Sequence, residues 1–211
     1  MDIQKTLNHA ARENTYYLIN DQAVIVIDPG SNTDQILETL TDLNKPVAAI
    51  LLTHTHYDHI MSVEAVRSAF QQPPVYVSDK EADWLGSPID NLSGLDRHSD
   101  MADVIVKPAD ALFQYDQAYD IAGFHFTVVE TPGHSIGGVS FIFPQEELIF
   151  SGDALFREAI GRWDLPTGNH DQLIHSIKEK LFTLPNHYKV YPGHGADTTI
   201  AHEKNCNPFF Q

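Results

Sequence analysis

Thr53-His54-Thr55-His56-Tyr57-Asp58-His59 puts three imidazoles and a carboxylate within two turns of chain, directly after the apolar run Ala48 to Leu52. Side chains at i and i+2 share a face of an extended segment, so a strand ending in His-x-His aims two imidazoles the same way. Asp58 and His59, just past the turn, can then reach a second ion beside the first. The chemistry this predicts is divalent-metal binding, with room for two ions. Histidine makes up 12 of the 211 residues, so such a cluster would arise by chance in only about a few such chains per thousand. Structural zinc sites are closed, hold one ion and are rich in cysteine, whereas this pattern is built from imidazole and carboxylate.

Three later segments strengthen the reading, each a polar ligand type at the end of an apolar, strand-like run. They are Thr131-Pro132-Gly133-His134-Ser135 after Phe126 to Val129, Ser151-Gly152-Asp153-Ala154 after Leu148 to Phe150, and Tyr191-Pro192-Gly193-His194-Gly195 after Lys189 to Tyr191. Ser135 and Ser151 flank ligands without a matching base motif, so no serine nucleophile is expected.

In this order the four segments resemble the metallo-β-lactamase superfamily, from Tyr16 to His194. Within it, Gly161-Arg162-Trp163-Asp164-Leu165-Pro166 and the ending His202 to Phe209 look like the small glyoxalase II-like (hydroxyacylglutathione hydrolase-like) bacterial proteins. The resemblance implies an α/β fold, the αββα sandwich, as one domain over residues 1–211, with the ligands delivered by strand ends at one edge. It implies His54, His56 and His134 on a first ion, Asp58, His59 and His194 on a second, and Asp153 bridging. Neutral imidazoles and carboxylates suit zinc, with iron or manganese as further choices. Two such ions share a water and lower its pKa toward neutrality, giving a hydroxide for attack on a thioester of the S-lactoylglutathione type. Asp58 would also orient that nucleophile.

The alternatives stay open at this point. A similar Gly-Arg-x-Asp loop occurs in persulfide dioxygenases, which use one iron held by two His and one Asp. A lactonase or β-lactam hydrolase, or a catalytically inactive metal-binding module, are the others. The larger glyoxalase II enzymes carry a helical C-terminal domain that contacts glutathione, and here Gly195 to Gln211 follow the last ligand segment. Arg162 is the candidate to hold a substrate carboxylate, against an ion pair with Asp164. Asp28, before Pro29-Gly30, would lie under the site. Trp84 would either roof the pocket or belong to an exposed insertion with a core of its own.

Charge and composition narrow the partners. With 13 Lys+Arg against 29 Asp+Glu the formal charge is -16, without a basic stripe, which argues against nucleic acid and anionic membranes. Two ions bring four positive charges against Asp58, Asp153 and hydroxide, so the site itself would favour a small anionic substrate. Cys206 is the single cysteine, which excludes an internal disulfide and suits a reducing compartment. No apolar h-region opens Met1 to Asn14, and no run reaches the roughly 18 apolar residues of a membrane span, so a cytoplasmic protein is expected. The oligomeric state is left open.

The elements that must position these residues are legible from periodicity. Tyr16 to Ile19 and Ala23 to Ile27 read as strands joined by Asn20-Asp21-Gln22. Ile36, Leu37, Leu40 and Leu43 predict a helix over Thr33 to Leu43 after the cap candidates Ser31, Asn32 and Thr33. A helix over Val63 to Phe70, strands at Val75 to Val77, Phe124 to Val129 and Val139 to Phe143, and a helix from His170 to Phe182 complete the reading. Asp79 to Asp110 is the least regular stretch, expected as loop or short helices lying over something.

Overall fold

Continuous burial marks the centre of the first sheet. β2 (Asn14–Ile19) and β3 (Val24–Ile27) are buried throughout, and Asn20 turns the chain between them by accepting the N–H groups of Gln22 and Ala23 on its side-chain oxygen at 2.8 and 2.9 Å. The chain then crosses over through α1 (Thr33–Leu43), which buries Ile36 and Leu40, to β4 (Val47–Leu51), parallel to β3. The expected cap residue Asn32 sits at the N-cap without capping the helix; its side chain instead bonds the N–H of His9 and the carbonyl of Leu7. α2 (Tyr57–Ile60) and α3 (Val63–Ala69) lead to β5 (Val75–Val77), and β6 (Ala111–Leu112) ends the sheet, whose order is β1-β2-β3-β4-β5-β6. β1 (Asp2–Leu7) pairs antiparallel with β2. The sequence did not predict it, because an exposed polar edge strand has no apolar alternation to show.

The structure, a computed structural model, describes residues 1–98 and 101–211. Ser99 and Asp100, inside the irregular stretch, lie outside the described residues. The chain folds as two compact units, Met1–Phe113 with Ile121–Phe124, and Gln114–Asp120 with His125–Gln211. The core of the first is built by Tyr17, Val24, Val26, Ile36, Leu40, Ile50 and Val63 among others, and it includes Leu85 and Val106. Those two come from the irregular stretch, which therefore joins this core rather than forming its own.

The second sheet has the order β14-β13-β10-β9-β8-β7. Its strands are β7 (Ala118–Ile121), β8 (Phe124–Glu130), β9 (Val139–Phe143), β10 (Leu148–Gly152), β13 (Lys189–Pro192) and β14 (Thr198–Thr199), and a small hairpin, β11 (Leu155–Phe156) with β12 (Ala159–Ile160), follows β10. One face carries the ring series Phe126, Phe143, Phe150 and Tyr191, centroids 5.2 to 5.7 Å apart. The other packs Val129, Ile149 and Val190 against Leu173, Ile177 and Leu181. These last belong to α4 (His170–Ser176) and its π-helical continuation Ile177–Leu181, within one residue of the predicted span. α5 (Ile200–Cys206) follows β14, and a short 3-10 turn, Pro208–Phe210, comes after it. Among the described residues no helix is long and apolar enough to cross a membrane.

Candidate metal centre

The first unit gathers His54, His56, Asp58 and His59, all buried, at the end of β4. The strand ends at Leu51, and one more ladder bond, from the Leu52 N–H to the Tyr76 carbonyl of β5 at 3.1 Å, holds the residue after it. Asp28 takes over, from the neighbouring end of β3. Its two carboxylate oxygens accept the N–H of Thr53 at 2.7 Å and the hydroxyl of Thr53 at 2.6 Å, and the second oxygen also meets Nδ1 of His59 at 2.9 Å. A carboxylate can only accept, so His59 carries its proton on Nδ1 and presents Nε2 as a donor atom. Asp28 reaches this position with φ +48, in the left-handed region that aspartate tolerates better than most residues.

The imidazoles stand close. The rings of His54 and His56 are 4.7 Å apart at 84°, and those of His54 and His59 are 4.1 Å apart. Nε2 of His59 lies 3.8 Å from Oδ2 of Asp58. One ligand atom each from Asp28, His54 and His59 falls within a 4.8 Å cluster, although the Asp28 oxygens are already occupied by Thr53 and His59. Beneath the turn, Glu13 is fully buried with its Oε1 3.9 Å from Nδ1 of His59. Gly30 is needed here for space: a Cβ would fall onto the Glu13 carboxylate and within 2.8 Å of the Asp58 carbonyl.

The second unit gathers His134, Asp153 and His194. His134 follows β8, Asp153 follows β10 and His194 follows β13, each just past its strand. Oδ2 of Asp153 lies 3.5 Å from Nε2 of His134 and 3.3 Å from Nε2 of His194. Two donors each about 2.1 Å from one ion at the tetrahedral angle are about 3.4 Å apart, so this spacing fits shared coordination. The Arg162 carbonyl accepts from Nδ1 of His134 at 2.8 Å, again leaving Nε2 as the donor. Gly161 lets that loop close in, since a Cβ would collide with the Asp153 carbonyl and sit 3.2 Å from the His134 Cβ. Phe156 of β11 packs edge-on against His194, centroids 5.8 Å apart.

Each predicted ligand is therefore placed with its fellows from the same unit, four in the first and three in the second. Imidazole and carboxylate donors without thiolate are what a borderline or hard divalent ion takes. Of the two roles the sequence left open for Arg162, the ion pair is the one present: its guanidinium holds Asp164 in a two-point pair, both bonds 2.8 Å, and the pair is more than half exposed. Asp164 raises the guanidinium pKa, and partial burial opposes it. His202 bonds Glu158 at 2.8 Å rather than any of the three acid–imidazole residues of its unit. Sequence reasoning missed Glu13 and Glu81, lone acids in polar stretches whose only signal is complete burial.

The family model for the metallo-beta-lactamase superfamily matches residues 11–194. The chain belongs to that superfamily. It is thus a metal-dependent hydrolase with the superfamily's mixed α/β fold, the αββα sandwich. It is similar to a probable metallo-hydrolase of Streptococcus pyogenes serotype M6, 64% identical and covering 100% of this chain and 90% of that protein. It is also similar to the hydroxyacylglutathione hydrolase GloC of Haemophilus influenzae, 30% identical over 95% of this chain and 93% of that one. Among solved structures, the BLEG-1 B3 metallo-beta-lactamase matches with TM-score 0.94 and 39% identity, covering 100% of both chains. A di-iron-bound form of TTHA1623 matches with TM-score 0.83 and 33% identity over 98% of this chain and 99% of that one.

Proposed function

We propose that the two ligand sets act as one binuclear centre, His54, His56 and His134 holding one divalent ion, Asp58, His59 and His194 a second, and Asp153 both, and that the protein hydrolyses small anionic thioesters of the S-lactoylglutathione type. The observation that carries this is the donor set itself: five imidazoles and two carboxylates, with Nδ1 of His59 and His134 engaged by Asp28 and Arg162 so that Nε2 faces outward to a metal. Zinc is the proposed ion, with iron or manganese accepted by the same donors. When bound, divalent ions supply a Lewis acid for the carbonyl and a water acidified enough to attack at neutral pH. The chain does the rest. Asp58 orients the attacking water, Asp28 and the Arg162 carbonyl fix two imidazoles, and the departing thiolate takes up a proton to leave as thiol. Similarity to GloC supports the thioester. The exposed thiol of Cys206 suits a reducing cytoplasm as the place of reaction.

The 39% identity to BLEG-1 favours a second reading, the opening of a β-lactam or lactone ring by the same donors. One experiment separates the readings: elemental analysis of freshly purified protein, with rates on S-lactoylglutathione, a lactone, a β-lactam and glutathione persulfide. Two metal equivalents and thioester turnover are expected, lost by at least about a thousandfold in Asp58→Ala and His56→Ala. Full rate in both variants refutes the ligand assignment. One iron with oxygen consumed on the persulfide would instead make the protein a dioxygenase.

A further inference from the structure

The irregular stretch Asp79 to Asp110 has no part in the function above, yet it grips the turn that carries His54 to His59. Thr55, between the two histidines, lies beyond the β4 ladder, and its buried N–H needs an acceptor. Glu81 supplies one. This carboxylate is fully buried, and its Oε2 accepts the Thr55 N–H at 2.8 Å and the Thr55 hydroxyl at 3.1 Å. A buried carboxylate is tolerated only when such donors are aimed at it, and its charge makes each bond stronger than a neutral one. One turn on, Trp84 lies nearly parallel to the His56 ring, planes 18° apart and centroids 6.4 Å apart. Further along, the carbonyl of Asn91 accepts the N–H of Tyr57 at 2.9 Å, where α2 begins. The Asn91 side chain in turn ties this segment together by donating to the carbonyls of Trp84 and Val104 at 3.2 and 2.8 Å.

From these contacts we infer that Glu81 and Trp84 are positioning residues for the metal centre: Glu81 locks the peptide between His54 and His56, and Trp84 sets the plane of the His56 ring. The inference rests on the binuclear reading above. The physical reason is leverage. Rotation of the Thr55 peptide would swing both flanking imidazoles at once, whereas metal ligands must be held to within about 0.5 Å of their working geometry.

The test titrates the metal-free full-length protein with Co²⁺ and follows both affinity and the visible d–d bands, which report coordination geometry. Glu81→Ala should weaken Co²⁺ binding by about 10- to 100-fold and alter the bands. Glu81→Gln, whose amide oxygen still accepts the Thr55 N–H, should recover most of both. Trp84→Leu, at a half-buried position, should fold and show a smaller loss with altered bands. A merely structural role predicts lower thermal stability with unchanged bands, and that result overturns the inference. If Glu81→Ala does not fold, Trp84→Leu decides alone, with unchanged affinity and bands counting against it. Wild-type protein that binds no Co²⁺ overturns the binuclear reading itself and this inference with it; Co²⁺-binding wild type beside insensitive variants overturns only the inference.

Discussion

Replacing Asp28 by Asn changes one atom of a buried carboxylate and tests the logic of the first half-site. Asn tolerates the left-handed backbone as Asp does, so φ +48 at this position adds no new strain. The hydrogen bonds cannot all survive. One oxygen now takes the Thr53 N–H, and the other takes both the Thr53 hydroxyl and Nδ1 of His59. An amide has one oxygen and one NH₂. If the NH₂ faces His59, Nδ1 must become an acceptor, the ring proton moves to Nε2, and the donor atom for a metal is blocked. Outer partners of this kind are worth about 10- to 100-fold in metal affinity, or about 1.4–2.8 kcal/mol. If the NH₂ faces Thr53 instead, the tautomer is kept, but two donors oppose each other in a buried site. That arrangement costs about 1–3 kcal/mol of stability, which at about 2–4 °C per kcal/mol for a chain of this size lowers the Tm by several degrees. Metal affinity by chelator competition and the Tm of the metal-free protein, measured on the same Asp28→Asn sample, must therefore show at least one loss. The ¹⁵N shifts of His59 would report which ring nitrogen holds the proton. Wild-type values in both affinity and Tm would refute the claim that Asp28 fixes His59.

Two further expectations come from charges elsewhere. Arg162→Ala should change stability by less than about 1 kcal/mol, because its pair with Asp164 is solvent-exposed; steady-state kinetics should show a raised KM with kcat little changed if the side chain can swing to a substrate carboxylate, and an unchanged KM removes Arg162 from substrate binding. Arg67, nearly buried, bonds Glu64 at 2.9 Å, Asp110 at 2.7 Å and the Pro108 carbonyl at 2.9 Å, so Arg67→Met should cost about 1–3 kcal/mol at neutral pH. Burial pushes the carboxyl pKa values of Glu64 and Asp110 up, but Arg67 and the main-chain N–H groups of Lys107 and Val75 outweigh it and hold both below the usual range. A lowered folded-state pKa stabilises above the unfolded value, and this contribution is lost as protons bind on acidification. The gap between wild type and Arg67→Met in urea denaturation should thus narrow as the pH falls below about 4; a gap that widens there would contradict the assignment.

Legibility in the sequence tracks how much apolar surface an element buries. The helix Thr33–Leu43 and the strands Val75–Val77 and Val139–Phe143 were readable to the residue, since the first two bury a periodic apolar set and the third is a short apolar run buried throughout. β1, β14 and the helix Ile200–Cys206 were not, because short polar elements at a sheet edge or chain end take their form from the neighbours they pair with. The candidate ligands showed in the sequence as well, since metal chemistry demands particular residue types at strand ends. Their supports did not. Glu81 is a lone acid 26 residues from the peptide it holds, and nothing local distinguishes it from the exposed Asp83 two residues on.

The amino-acid order alone thus determined which side chains are available as ligands, that no thiolate or serine motif lies among them, and that the chain is strongly acidic. These follow from residue type and short-range spacing, which need no folding to be read. Only the tertiary structure decided which nitrogen of His59 and His134 faces outward, that Arg162 is paired with Asp164, and that the irregular stretch braces the ligand turn. Those facts depend on donors and acceptors brought together from distant segments, where direction as well as identity sets the chemistry.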